Sequence, residues 1–361
     1  MLEFTPHNGA GGRNIAGSSK KRLLIAAAIL AALIAFGAIR FRGSHFAWEV
    51  FWQAMDGVIW VWLAVAVGFL YVSYWGRAMR WRAMLAPLRA GVSTFSLVEA
   101  TIIGFTAVVL LGRPGELVRP YLIANKEKVS FSSQMAAWLL ERIFDLLMVL
   151  AVFGFALTVV PASRLHLGAG LRFVFRAGGY LSAGIGLLCL VLLFGLRRFS
   201  GTTAGRLEEA LGFLPSSIQT KIHSVTKSFA EGMGATLSTG LLGAIFGYSV
   251  LVWTVILAAM YSMFRALPAT SSLSFIQTAV FLGLVSFGAA VQIPGIGGGF
   301  QVASVLVLTE IFGYRLETAT AVAILLWVVA YLPVVPAGLL LAAKEGVGWR
   351  ITRQIEEDVV A

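Results

Sequence analysis

Long apolar runs separated by short polar stretches recur along the whole chain. Leu23–Ile39, Val58–Tyr74 and Ala319–Ala343 contain no charged residue. Read as helices rising about 1.5 Å per residue, they are long enough to cross roughly 30 Å of hydrocarbon, the last with room to tilt. The same pattern predicts full spans at 23–39, 57–75, 134–160, 178–196, 237–264 and 318–343. Two regions depart from it. Residues 96–125 are interrupted by Gly112-Arg113-Pro114-Gly115, and residues 275–312 by Pro294-Gly295-Ile296-Gly297-Gly298-Gly299. Neither half of either region is comfortably long enough to span. Irregular backbone at membrane depth persists only where protein buries it or where it lines a wet cavity. Both regions therefore read as re-entrant hairpins. The fold class expected is an all-α polytopic membrane protein, with about six full transmembrane helices and two broken hairpins.

Composition removes the soluble alternative. Charged residues make up 12% of the chain and apolar ones 58%, against about 25% charged in a soluble domain. The net charge of +11 needs no nucleic-acid partner, because basic residues hold loops on the cytoplasmic side of a membrane. With the N-terminus inside and each hairpin returning to its own side, 20 Lys and Arg fall inside and 7 outside, with Arg142 intramembrane. That asymmetry predicts a protein of the cell (inner or plasma) membrane with both termini cytoplasmic. It also sets span, hairpin, span twice in opposite orientation, the layout of an inverted repeat.

The domain reading has three parts. Residues 1–22 form a disordered basic tail, 23–343 a transmembrane domain, and 344–361 a cytoplasmic tail. Lys20-Lys21-Arg22 precede the first apolar run, but Arg40 and Arg42 follow it in place of a small-residue cleavage site, so an uncleaved span is expected. Within the cytoplasmic segment 197–236, Ile218, Ile222, Val225 and Phe229 recur at helical spacing and predict an amphipathic interfacial helix.

Candidate chemistry concentrates in three places. Gly112–Pro120 interrupts one helix and starts another. Helix N-termini attract anions, and Arg113 and Arg119 beside this one can clamp a phosphate, with Glu116 orienting an arginine or exchanging a proton. The plain alternative is a cytoplasmic loop with interfacial arginines. Inside the span at 134–160, Glu141 and Asp145 share a helix face, and Arg142 reaches Asp145 at a spacing of three. Such groups face a bundle interior in pairs, either as a structural ion pair or along a hydrophilic path. The third place is the Pro294–Gly299 turn with Gln301. Exposed amides of Gly295, Gly297 and Gly298 can bind a polar ligand, or the turn can simply pack two half-helices. Cys189 is the only cysteine, and His7, His45, His166 and His223 lack partners at ligand spacing. No metal site, cofactor or catalytic constellation is read.

Leu111-Gly112-Arg113-Pro114-Gly115-Glu116-Leu117-Val118-Arg119-Pro120-Tyr121, then Leu140-Glu141-Arg142-Ile143-Phe144-Asp145-Leu146, then Pro294-Gly295-Ile296-Gly297 and a last apolar span resemble the lysylphosphatidylglycerol synthase transmembrane, flippase-like family. The likeness covers most of residues 20–343. The membrane domain of the multiple peptide resistance factor is similar and moves aminoacylated phospholipid between leaflets. Other members accompany glycolipid, dolichol-linked or hopanoid pathways. Only 18 residues follow Ala343 here, so lysyl transfer itself is not expected of this chain. Relatives often carry a Glu shortly after the Pro-Gly-Gly turn, where this sequence has Gln301.

The resemblance and the residues together imply translocation of an anionic, phosphate-bearing lipid. Arg113, Glu116, Arg119, Glu141, Arg142, Asp145 and the Gly295–Gln301 turn are the expected binding residues. Two other classes stay open. One is a scaffold recruiting lipid- or envelope-synthesis enzymes through the interfacial helix and the Gly243-xxx-Gly247 spacing. The other is a polyprenyl-phosphate glycosyltransferase, although Glu208, Glu209 and Glu231 do not form the carboxylate cluster it would use.

Overall fold

The computed structural model describes residues 46–159, 239–288, 292–293 and 297–345, together with 184, 186 and 187. The predicted span at 23–39, the body of that at 178–196, the interfacial helix, Gly295, the N-terminal tail and residues 346–361 of the C-terminal tail lie outside the described residues. The account below concerns the unit that begins at Val50.

Apart from one short ladder, the regular elements among the described residues are helical. The first half runs α1 (Trp60–Leu85), α2 (Thr94–Leu111), a 3-10 turn (Arg113–Leu117), α3 (Val118–Glu127) and α4 (Phe131–Val159). The second half runs α5 (Thr239–Ala266), α6 (Phe275–Gly288), the two-residue strands β1 (Gln292–Ile293) and β2 (Gly297–Gly298), α7 (Gly299–Glu310), α8 (Leu316–Tyr331) and α9 (Val334–Lys344). Trp60–Leu85, Thr94–Leu111, Gly240–Ala266 and Leu316–Lys344 are long and apolar enough to cross a membrane. Trp60, Trp75, Phe246, Leu251 and Leu340 lie exposed on their outer faces, as lipid-facing side chains must. The protein is a polytopic all-α membrane protein.

The first break folds the chain back on itself. Gly112 takes φ 72° and ψ −144°, a conformation closed to residues with a Cβ, and ends α2. Gly115 then lies flush on the Ala107–Val108 backbone, with no room for a methyl group. The two ends of the hairpin meet again at its open side. Ser96 Oγ donates to Glu127 at 3.4 Å, and Lys126 Nζ lies 3.4 Å from Glu99 and 2.5 Å from Glu345. The arms are unequal. Thr94–Leu111 is itself long enough to span, and only the ten-residue return arm α3 is short, because the apolar run continues to Gly112 without a breaker. With Cys189 replaced, single cysteines at the exposed positions Asn125 and Ser130 should label from the same side as one at Arg89; labelling from opposite sides would refute the return.

The second break is more regular. α6 and α7 are short, apolar and packed together, and β1 pairs antiparallel with β2 in the register Gln292↔Gly298 and Ile293↔Gly297. Its tip includes Gly298 at φ 119°.

Two predicted boundaries move. α1 extends to Leu85, ten residues beyond the expected end at 75, because Arg77 and Arg80 find buried partners and need not sit in a loop. The expected single span at 318–343 bends at Leu332-Pro333. Pro333 and Pro336 remove backbone donors there, and hydroxyls take up carbonyls at the bend: Tyr71 Oη donates to Pro333 O and Thr106 Oγ1 to Val334 O, both at 2.9 Å.

The packing of the halves is reciprocal. α1 and α5, the first spans of each half, pack on one another. α4, closing the first half, packs on α6 of the second hairpin, and α9, closing the second half, packs on α2 of the first hairpin. Two halves related by a two-fold axis generate this exchange.

Candidate functional site

The site begins with one face of α1. Ser73, Tyr74, Arg77, Arg80, Trp81 and Met84 recur at helical spacing and turn inward, whereas Val72, Trp75 and Arg82 turn out. The matching face of α4 carries Glu141 and Asp145. Arg80 has no exposed surface and bridges the two carboxylates, with Nη2 at 2.5 Å from Glu141 Oε1 and Nη1 at 2.8 Å from Asp145 Oδ1. Its Nη1 also donates to Ser249 Oγ of α5 at 2.9 Å. Arg119, on α3, donates to the other oxygen of Glu141.

Two further guanidiniums join them. Arg77 lies 3.5 Å from Asp145 and 3.7 Å from Glu141, and Arg142 lies 3.0 Å from Asp145. Trp253 Nε1 of α5 also donates to Asp145 Oδ1, at 3.3 Å. Four arginines from three helices thus surround two carboxylates. Glu141 stands ten residues inside α4 and Arg77 eight residues before the end of α1. At the helical rise that is about 12–15 Å from those helix ends.

Aromatic faces complete the binding of the arginines. The Arg119 guanidinium stacks 4.2 Å from the Trp81 ring and that of Arg77 lies 5.0 Å from Phe105. Trp81 is itself fixed by donating to Gln134 Oε1 at 2.9 Å. Such stacking suits a planar, weakly hydrated cation away from water. Gly104 lets the two arms approach, since a Cβ there would meet Arg119 Cβ at 2.6 Å.

A cavity of about 510 Å³ opens beside this cluster, between both hairpins and both first spans. Its polar wall is Arg77, Arg113, Glu116, Arg119, Arg142 and Asp145. Its apolar wall includes Ile256, Met260 and Met263 of α5, Leu282 and Val285 of α6, and Phe300 of α7. Arg113 Nη1 and Glu116 Oε1 pair at 2.5 Å at the rim, where the arginine side chain is 48% exposed and therefore reaches solvent or headgroups.

The first two sequence candidates have thus become one. Arg113, Glu116, Arg119, Glu141, Arg142 and Asp145 gather at the cavity, with Glu141 behind its wall. The helical restart expected at the break is present, with Pro114 in its first turn. Residues 113–117 make a 3-10 turn that runs straight into α3, so the first amides of α3 are not presented, and the arginine side chains supply the positive wall instead. Of the third candidate, Gly295 lies outside the described residues. Gln301 Oε1 accepts from Gly298 N at 2.7 Å and caps α7, and on the described wall this helix is represented by Phe300.

A family model for the lysylphosphatidylglycerol synthase TM region matches residues 23–338. The chain belongs to this family. Glycosyltransferase AglD of Haloferax volcanii is 24% identical over 211 residues, which cover 54% of this chain and 34% of that protein. The match thus reaches about a third of the curated relative's length. No solved structure matches the chain.

Within this family member, sequence reading placed Arg77 and Arg80 in an inner loop. The structure buries both in the charge cluster. Their spacing of three, continued by Tyr74 and Met84 on the same face, was the available signal. Arg113 and Arg119 likewise belong to the hairpin tip and the cavity. Taking these four out of the 20 inner basic residues leaves 16 against 7, so the charge asymmetry keeps its direction.

Proposed function

We propose that the protein moves a phosphate-bearing lipid between the leaflets of the cell membrane, with its termini cytoplasmic. The observation that carries this reading is the cavity itself, with one polar, arginine-rich wall and one apolar wall, lying between the two broken hairpins. A headgroup placed among Arg77, Arg113, Arg119 and Arg142 would exchange its hydration for fixed, charge-assisted hydrogen bonds. The membrane charge is otherwise costly for a headgroup crossing hydrocarbon. The aliphatic wall accommodates the first methylenes of the chain. Halves with reciprocal packing support a rocking movement that exposes such a site to one leaflet and then the other. Glu116 holds Arg113 and can release it as a headgroup arrives.

Reconstituted in vesicles, the Arg119→Gln variant should move a fluorescent anionic phospholipid at least about tenfold more slowly than the wild type, one lost charge-assisted contact being about 1.5–3 kcal/mol. Transfer unchanged by the substitution would remove Arg119, and the site built on it, from the mechanism.

The printed name of the archaeal relative supports a second reading, a part in glycoconjugate synthesis. Both inward carboxylates of α4 are taken up by arginines, which suits binding of a lipid phosphate better than base catalysis. Turnover of a labelled polyprenyl-phosphate sugar by the purified protein would favour this second reading.

A further inference from the structure

The wall of the cavity carries an imbalance of charge. Arg77, Arg113, Arg119 and Arg142 face two lining carboxylates, Glu116 and Asp145. Behind the wall, Arg80 and Glu141 add one charge of each sign. Every one of these carboxylates already has an arginine partner: Glu116 has Arg113, Glu141 has Arg80 and Arg119, and Asp145 has Arg80 and Arg142. Among the described residues the cluster therefore holds two more guanidiniums than carboxylates, and the excess remains when the rim pair Arg113–Glu116 is set aside. Buried charge is stable only when paired. One donor states the deficit directly. Arg119 Nη1 is buried with no hydrogen-bond partner, on a side chain 6% exposed that lines the cavity.

We infer that the headgroup this site completes is a dianion, a lipid ending in a phosphomonoester, and not a singly charged phosphodiester or a cationic aminoacyl headgroup. The inference rests on the lipid-binding reading above and sharpens its substrate class. A phosphomonoester carries about −1.5 to −2 at neutral pH, with a second pKa near 6, and three terminal oxygens. Two excess guanidiniums match that charge, and the planar guanidiniums of the lining residues Arg77, Arg113, Arg119 and Arg142 supply donors for those oxygens. A phosphodiester brings one charge and two free oxygens and leaves one guanidinium uncompensated. A cationic headgroup fares worse, since no carboxylate on the described wall lacks an arginine. The apolar wall formed by Met260, Met263, Val285 and Phe300 selects the lipid over free phosphate.

The test is competitive binding to the intact protein in nanodiscs of neutral phosphatidylcholine, read by native mass spectrometry. Phosphatidic acid serves as the monoester and phosphatidylglycerol as the diester. At pH 7.5 the monoester should bind at least about tenfold more tightly, one screened charge contact being about 1.4 kcal/mol. The preference should shrink below about pH 6, as the second proton returns. Arg113→Gln, at a half-exposed rim position, should narrow it at least threefold. Equal or tighter binding of the diester, with Arg119 dependence kept, would overturn the dianion while leaving a lipid headgroup site. Binding of every lipid indifferent to both arginines would overturn the lipid-site reading itself. Displacement of bound lipid by millimolar inorganic phosphate would overturn the lipid as the source of the phosphate.

Discussion

Glu141→Ala should be the most damaging single substitution in the membrane domain, lowering stability by about 3–5 kcal/mol, as expected when one member of a buried charge network is removed. The carboxylate has no exposed surface. It accepts from Arg80 at 2.5 Å and from Arg119 on its other oxygen, with Arg77 and Arg142 within 4 Å. Its loss leaves Arg119 with no carboxylate, and leaves the guanidiniums of Arg77, Arg80 and Arg142 sharing Asp145 alone. The measurement is the unfolding midpoint of purified protein in detergent on titration with a denaturing detergent, with monodispersity as the companion readout. Arg142→Gln provides the contrast. Its side chain is 32% exposed, so water replaces much of what is lost, and the shift should stay near 1 kcal/mol or below. Comparable effects of the two substitutions would show that the network is not the buried brace described here.

The second large effect is expected at a residue with no side chain. In Gly115→Ala the new methyl group would land on the Ala107 carbonyl and the Val108 amide. These are backbone atoms inside α2, and they cannot swing aside as a side-chain end would. Overpacking of this kind costs about 1–3 kcal/mol, and the upper end applies where the neighbour is rigid. The functional loss should exceed the loss of stability. Gly115 sets the distance between α2 and the return arm, and Arg119 sits one turn further on, stacked on Trp81 and paired with Glu141. A shift of a fraction of an ångström there misplaces the guanidinium. Lipid movement in vesicles should fall severely while the protein still folds at low temperature. Gly247→Ala, which meets nothing within 4 Å, should be neutral or slightly stabilising. Wild-type transfer by the Gly115 variant would mean that the hairpin tip takes no part in the site.

Much of this protein was legible before its coordinates. The uncharged runs and the scarcity of charge fixed a polytopic helical membrane protein, because hydrocarbon admits few other solutions for an exposed backbone. Gly112-Arg113-Pro114-Gly115 and Pro294–Gly299 announced two breaks, since glycine and proline clustered together weaken a helix more than either does alone. The pairing of Arg142 with Asp145 followed from a spacing of three on one helix, and the structure gives it at 3.0 Å.

What periodicity on one helix cannot show is which helices meet. Arg77 and Arg80 looked like the basic end of a span because their partners lie more than 60 residues away in sequence, on α4. The reciprocal packing of α4 on α6 and α9 on α2 leaves no mark in either half alone. Only that assembly turns two separate motifs into one charged wall, and leaves Arg119 Nη1 buried without a partner. The sequence by itself determined the solvent of each segment and the places where helices must stop, through local hydrophobicity and backbone freedom. The tertiary structure alone decided where the charges go, because a buried charge is placed by whichever distant side chain can neutralise it.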